Sequence, residues 1–211
     1  MELNIQQIKK KYQVYKKKND NGESVKSTKT VFLGKVYSED REINDFYATD
    51  PKAIDFLLEK EKLHNIWECA CGNGHLAERL EEHKILGKAS DLIIRDYKCE
   101  QLNFLQTANS WDGDIVTNPP FKYAEEFVYK ALELIPTGNK VCMLLKLSFL
   151  ESIRRKPLFD LMQLKNVYVP RHRIICAKNA DFKKYKSSPA CYAWFVWQKG
   201  YKDLPKIDWI N

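Results

Sequence analysis

Helical spacings and short apolar runs alternate along most of this chain. Behind Asp50-Pro51, the residues Ile54, Leu57 and Leu58 fall at i, i+3 and i+4. That spacing predicts a helix whose first turn accommodates the proline. A short strand over Asn65–Cys69 is broken by Gly72 and Gly74, and Leu76, Ala77 and Leu80 then resume helical spacing. Lys88–Ile94 reads as a second strand, and Asp114–Thr117 as another after the Trp111-Asp112-Gly113 turn. The stripe Phe127, Val128, Ala131, Leu134 and Ile135 predicts an amphipathic helix over Tyr123–Ile135, stopped by Pro136-Thr137-Gly138. Val141–Leu147 is nearly continuously apolar, as a strand covered on both faces requires. Two further strands, around Val167–Val169 and Cys191–Gln198, have no long helix between them. Strands alternating with helices predict a three-layer α/β domain, its mostly parallel sheet carrying an antiparallel edge.

Composition agrees with one domain able to bury a core: 211 residues, 44% hydrophobic and 12% aromatic. No apolar run approaches the ~20 residues of a membrane span. The segment beginning Met1-Glu2-Leu3 has no apolar stretch resembling a secretory signal. A cytoplasmic protein is expected. The net charge of +7 is unevenly distributed, with +6 in residues 1–36, −6 in residues 37–164 and +8 in residues 165–202. Residues 1–36 are therefore read as a basic N-terminal arm, and 37–211 as the globular domain with a basic insertion near 171–188. An acidic centre between basic ends is compatible with a polyanionic partner, and equally with Lys-rich surfaces that keep a protein soluble.

Cysteines stand at 69, 71, 99, 142, 176 and 191, without the dense spacing of a disulfide scaffold. Cys69 and Cys71 with His75 and Cys99 lack a paired Cys-x-x-Cys framework, so no metal site is expected. The histidines at 64, 75, 83 and 172 are assigned to surface or packing.

Chemistry concentrates in two segments. Glu68-Cys69-Ala70-Cys71-Gly72-Asn73-Gly74 lies where a strand hands over to a helix. Its glycines allow a tight turn and close approach of a ligand, and its leading acid suits a cationic amino group or the ordering of the loop. Asp91, 19 residues beyond Gly72, is placed at the end of the next strand to accept from both hydroxyls of a ribose. The third glycine of Gly-x-Gly-x-x-Gly is missing, so pyrophosphate binding is not supported. An ordinary strand-to-helix turn would explain the loop alone; with Asp91, an adenosine-like ligand explains it better.

The second segment, Asn118-Pro119-Pro120-Phe121, follows an apolar strand and precedes a helix. It belongs at the carboxyl end of the sheet, where open α/β folds bind ligands. Two prolines stiffen the backbone and remove two N–H donors, so carbonyls remain to accept. The Asn118 amide oxygen and the Pro119 carbonyl can both accept from an exocyclic amine, and Phe121 offers a face to a planar base.

With these residues in place the chain resembles the S-adenosylmethionine-dependent DNA adenine-N6 methyltransferases, in their small phage and prophage form. Glu68–Gly74 is similar to that family's cofactor loop, Asp91 to its ribose-binding acid, and Asn118–Phe121 to its catalytic tetrapeptide. Phe46–Pro51 resembles the segment touching the methionine moiety, with Asp50 interrupting the commoner Thr-Pro pair. Asn103-Phe104-Leu105 resembles the adenine-side segment, with Asn103 where an acid is more usual. The segments Lys146–Glu151 and Tyr192–Trp197 also have look-alikes there. The likeness covers roughly residues 45–200. It implies a Rossmann-like methyltransferase fold with a seven-stranded sheet. The implied cofactor is S-adenosyl-L-methionine, held by Tyr47, Thr49, Glu68, Ala70, Cys71, Gly72, Gly74, Asp91, Leu92, Asn103, Phe104 and Asn118. The implied catalytic set is Asn118, Pro119, Pro120 and Phe121.

The implied reaction is direct in-line transfer from a sulfonium to a neutral amine. Asn118 and Pro119 position the amine, and Phe121 stacks on a base rotated out of the duplex. Asn118 lies only 44 positions beyond Gly74, too few for a recognition domain between them. DNA is therefore expected on a basic, aromatic-containing stretch: Arg171, Arg173, Lys178, Lys183, Lys184, Tyr185 and Lys186. A solvated basic hairpin is the alternative. Related Asn-Pro-Pro motifs also serve RNA amines and protein glutamine, and a non-catalytic nucleic-acid-binding relative is the reading from a different class. No membrane or metal partner is expected, and a monomer is the simpler expectation for the oligomeric state.

Overall fold

In the computed structural model the described residues are 48–177 and 190–211. The chain divides into Met1–Ile43, which lies outside that range, and Asn44–Asn211. In chain order the elements are β1 (Ala48–Thr49), α1 (Lys52–Leu58), β2 (Ile66–Glu68), α2 (His75–Glu82), β3 (Leu86–Asp91), β4 (Glu100–Gln101) and β5 (Ile115–Thr117). Then come α3 (Ala124–Leu134), β6 (Lys140–Lys146), α4 (Lys156–Phe159), β7 (Leu164–Pro170), β8 (Cys176–Ala177), β9 (Tyr192–Gln198) and β10 (Lys206–Ile210). Short 3-10 turns precede α3 and α4.

Eight strands form the main sheet in the order β10-β7-β9-β6-β5-β2-β3-β4. All run parallel except β9, which is antiparallel to both β6 and β7. The predicted α/β architecture is thus present, and two details differ. The reversed strand is third from the sheet's edge, because β7 and then β10 pair beyond it. The strand count is eight rather than seven, because Lys206–Ile210 pairs in parallel with Asn166–Pro170. That edge strand shows no inside–outside alternation to read: Ile207 and Trp209 are exposed and Ile210 alone is buried.

The two apolar faces explain the layering. Trp67 and Ile66 point to opposite sides of β2, as successive strand residues must. On one face Ala53, Ile54 and Leu57 of α1 and Leu76 and Leu80 of α2 pack against Ile66, Val116, Leu144, Trp194 and Val196. On the other, Trp67 meets the Phe104 ring edge-on at 5.3 Å and Phe104 meets Phe127 of α3 at 5.0 Å. Phe149 packs edge-on against Phe195 and Trp197 of β9. Central β9 is therefore buried on both sides, which is why its residues run continuously apolar.

The amino ends of the strands are tied by a buried polar cluster. Glu61 accepts from Tyr168 Oη at 2.6 Å, from Asn166 Nδ2 at 2.9 Å and from Lys140 Nζ at 2.7 Å. Asp114 accepts from the backbone N–H of Lys140 at 2.7 Å and of His64 at 2.9 Å. These bonds lock one end of the sheet and leave its other end for chemistry.

Candidate active site

Three neighbouring parallel strands, β5, β2 and β3, deliver Thr117-Asn118, Glu68 and Asp91 to one end of the sheet. All three lie at carboxyl termini, and the turns that follow close over them. The loop after β2 is knitted to β3: Cys71 N–H donates to the Ser90 carbonyl at 3.1 Å and Gly72 N–H to Asp91 Oδ2 at 2.8 Å. Gly74 N–H then donates to the Cys71 carbonyl at 2.8 Å, and Glu78 N–H to the Gly74 carbonyl at 2.7 Å, opening α2. Both glycines take positive φ, 57° at Gly72 and 88° at Gly74. A Cβ at Gly74 would fall 2.3 Å from the Tyr97 ring, so only glycine fits there.

Glu68 is buried at the base of this loop. Its Oε1 accepts from Ala70 N–H at 3.2 Å, while Oε2 has no hydrogen-bond partner among the described residues. Burial pushes the carboxyl up to about 8, and the Asp91 charge adds to the rise. The nearby Thr117 hydroxyl and the Ala70 amide oppose it without satisfying Oε2. Burial without a second partner favours the protonated, neutral form of this carboxyl.

Asp91 is shared between its own turn and the loop. Oδ1 accepts from Ile93 N–H at 2.9 Å and from the Arg95 guanidinium at 3.2 Å. The strand stops at Asp91, whereas the apolar run suggested that it continues to Ile94. Leu92, Ile93 and Ile94 instead lie in the turn, exposed by 58%, 36% and 45%. The aspartate's own bonds bend the chain out of the sheet. The following segment folds back on α2, with Tyr97 Oη donating to Glu81 at 2.7 Å.

Asn118 Nδ2 donates to Thr49 Oγ1 at 2.8 Å. Thr49 is held in β1, which pairs antiparallel with Cys176–Ala177 of β8. Pro119 is buried and Pro120 half-buried, and the Pro120 carbonyl accepts from Tyr123 N–H at 2.9 Å to start the turn into α3. Phe121 stacks on Tyr192 with ring centroids 5.5 Å apart and an interplanar angle of 26°. Lys146 Nζ stands over the same ring, 4.9 Å from its centroid. Lys146 and Tyr192 are register partners at the ends of β6 and β9. Neither was among the predicted site residues. The signal for Lys146 was a lone charge ending a buried strand beside the Asn118 strand.

The remaining predicted residues divide. Asn103 Oδ1 accepts from Leu105 N–H at 3.2 Å, capping a 3-10 turn, and the Phe104 ring is only 3% exposed between Trp67 and Phe127. Phe104 is a core ring, and two residues before it the Leu102 N–H donates to the Asp91 carbonyl at the end of β3, at 2.8 Å. Arg171 and Arg173 are exposed just beyond the carboxyl end of β7, the same end of the sheet as Asn118. Arg171 donates to the Asn211 carbonyl at 3.0 Å. Tyr47, Lys178, Lys183, Lys184, Tyr185 and Lys186 lie outside the described residues.

Burial, reinforced by Glu68, pushes the Cys69 and Cys71 thiols well up, so the loop holds neutral thiols rather than a thiolate nucleophile. Among the described residues no three His, Cys, Asp or Glu side chains gather as metal ligands, and no helix is long and apolar enough to cross a membrane.

No protein-family model matches the sequence, and no curated protein matches it. Solved structures do. A modification subunit of a candidate type I restriction enzyme from Vibrio vulnificus YJ016 superposes with a TM-score of 0.54 at 10% identity, over 98% of this chain and 51% of that one. The type IIG restriction endonuclease BpuSI superposes with a TM-score of 0.50 at 11% identity, over 72% of this chain and 25% of that one. The chain spans about half the length of the first and a quarter of the second. At such identities the likeness establishes the fold alone: a mixed α/β sheet shared with parts of these two proteins.

Proposed function

We propose that this chain is an S-adenosylmethionine-dependent methyltransferase acting on the exocyclic N6 amine of adenine in DNA. The observation that carries the reading is the alignment of Glu68, Asp91 and Asn118 at the carboxyl ends of three adjacent strands, with the Gly72 N–H hooked onto Asp91.

The residues present fit the cofactor's chemistry. Glu68, with its unsatisfied buried Oε2, suits a cationic α-ammonium. Asp91 Oδ2, which accepts only from Gly72 N–H, retains a lone pair for a ribose hydroxyl, whereas Oδ1 already accepts from Ile93 N–H and Arg95. Exposed Leu92 provides an apolar wall beside it for a planar base. Gly72 and Gly74 let the loop backbone approach without side-chain obstruction. When bound, the cofactor supplies an electrophilic methyl on a sulfonium.

The chain's own contribution is positioning and polarity. Asn118 Oδ1 and the Pro119 carbonyl accept from the amine's two N–H groups and favour tetrahedral character at nitrogen. Phe121 provides a stacking surface for the extruded base. Neutral thiols and the absence of a nucleophile in the loop suit transfer without a covalent enzyme intermediate. Arg171 and Arg173 at the rim provide phosphate contacts, which give affinity rather than sequence information. DNA as acceptor is also in keeping with the fold shared with a type I restriction enzyme's modification subunit and a type IIG restriction endonuclease.

The test is a radiolabelled methyl assay on DNA, RNA and protein, followed by nucleoside analysis. Label in N6-methyladenine of DNA is expected. Label in RNA or protein alone would overturn the choice of acceptor, and no binding of S-adenosylmethionine by calorimetry would overturn the enzyme itself.

A further inference from the structure

We propose that Lys146 is a nucleic-acid contact whose ammonium takes a backbone phosphate of the acceptor strand, beside the base that Phe121 receives. The inference rests on the methyl-transfer reading above and deepens it, because it names a residue that ties the acceptor site to a phosphate.

A half-buried ammonium is ordinarily held by an oxygen. Among the described residues the other half-buried lysines are. Lys88 meets Glu100 at 2.7 Å, Lys130 meets Glu133 at 3.5 Å and Lys140 meets Glu61 at 2.7 Å. Lys165 donates to the Gln198 amide oxygen at 2.8 Å, and Lys199 to the Ile135 carbonyl at 2.6 Å. Lys146 is half-buried too, yet its partner among the described residues is the Phe121 ring, with Nζ 4.9 Å from the centroid. A ring face attracts a cation but offers no acceptor atom to its three N–H donors. The complement of this group is an anion rich in oxygen.

Strand order says which anion. Lys146 ends β6 opposite its register partner Tyr192, on which Phe121 stacks. β5, which leads into Asn118, stands between β6 and the strands β2 and β3 that carry Glu68 and Asp91. Lys146 thus lies on the acceptor side of Asn118, away from the proposed cofactor cleft. In the other direction the order runs through β9 to β7, beyond whose carboxyl end Arg171 and Arg173 are exposed. One end of the sheet therefore carries positive charge from an outer rim at β7 to the ring beside Asn118. A strand crossing that rim brings a phosphate with every nucleotide, and the phosphate flanking an entering base arrives with it. Positive charge develops on the acceptor amine as it is methylated, which a bare ammonium beside the base opposes. A phosphate on Lys146 offsets that opposition, whereas a protein glutamine brings no such anion.

The probe is an adenine-rich single strand of DNA, whose bases enter without breaking a duplex and whose phosphate contacts carry no sequence requirement. Its binding to full-length wild type, Lys146→Met and Lys146→Arg, each checked by its melting curve, is followed by fluorescence anisotropy over a range of salt concentrations. Lys146→Met keeps an apolar stem and loses the charge. Its affinity at low salt should fall about fivefold to tenfold, and its slope of log K against log salt should be shallower by about 0.7, the worth of one phosphate on a single strand. Lys146→Arg restores both, and cofactor affinity by calorimetry stays within about twofold throughout. An unchanged slope in Lys146→Met overturns the proposal, since a packing role leaves salt dependence intact. So does a Lys146→Arg slope no steeper than that of Lys146→Met, or a loss of cofactor affinity, which would put the ammonium on the cofactor's carboxylate. Should Lys146→Met not fold, Lys146→Gln takes its place against the same criteria. A wild type that binds the same sequence as RNA and not as DNA overturns the DNA reading instead, and the slope on RNA still decides Lys146. Binding to neither strand overturns both.

Discussion

Asp91 Oδ2 accepts the Gly72 N–H at 2.8 Å, so the acid ending β3 also sets the shape of the loop that ends β2. Its other oxygen accepts from Ile93 N–H. One side chain thus organises both walls of the candidate cofactor cleft. Asp91→Ala removes an acceptor from two backbone donors and the proposed ribose contact together. Calorimetry should show S-adenosylmethionine affinity reduced on the order of a hundredfold. An affinity within threefold of wild type would remove Asp91 from the site.

Glu68 gives a pH signature. Burial raises its carboxyl to about 8 from an ordinary 4.5, so the folded, ligand-free protein holds a proton there that the unfolded chain has released. That contribution is fully present below about 4.5 and is lost as pH rises toward 8. An arriving ammonium reverses the preference and expels the proton. Titration of the cofactor at pH 7 in buffers of different ionisation enthalpy should therefore report proton release, absent in Glu68→Gln. Enthalpies independent of buffer would contradict it.

At the opposite end of the sheet, Glu61 should affect stability without touching the cleft. Burial alone would raise its carboxyl, but the bonds from Lys140, Tyr168 and Asn166 outweigh it and hold the group below its usual range. The sign is the reverse of that at Glu68: its stabilisation is present above about 4.5 and is lost as pH falls through the lower folded value. Glu61→Ala strands the Lys140 charge and should cost about 3–5 kcal/mol in urea unfolding at neutral pH. A loss below 1 kcal/mol would show that water replaces the carboxylate.

Phe121 is already stacked on Tyr192 beneath Lys146. Phe121→Ala should weaken productive DNA engagement about tenfold to a hundredfold, the worth of one base–aromatic stack. Cofactor affinity should be spared. A parallel loss of both would make Phe121 a packing residue of the cleft rather than a platform for the base.

How much of this was legible in the sequence depends on the range of the interactions involved. Leu76, Ala77 and Leu80 announced α2, and the apolar run from Val141 announced β6, because local periodicity reports burial directly. Glu68 and Asn118 could be singled out because each stands at the end of a predicted strand, and Asp91 because it is an acid on the next strand, 19 residues beyond Gly72. The exit from β3 at Asp91 was not legible, since Leu92-Ile93-Ile94 has strand composition and only the aspartate's backbone bonds turn it out. The Phe104 ring was read with its segment, but Trp67 and Phe127 draw it into the core. Glu61 went unremarked because its partners lie 79, 105 and 107 residues away. The Thr49 bond to Asn118 was hidden for the same reason.

The central claim is that Asn118 acts on adenine in DNA, and it is tested most directly by single-molecule sequencing of DNA from cells lacking adenine methylation of their own. Cells expressing the wild-type chain should carry N6-methyladenine at a recurrent sequence, and cells expressing Asn118→Ala should carry none. Absence of the mark in both, or its presence in both, would contradict the account.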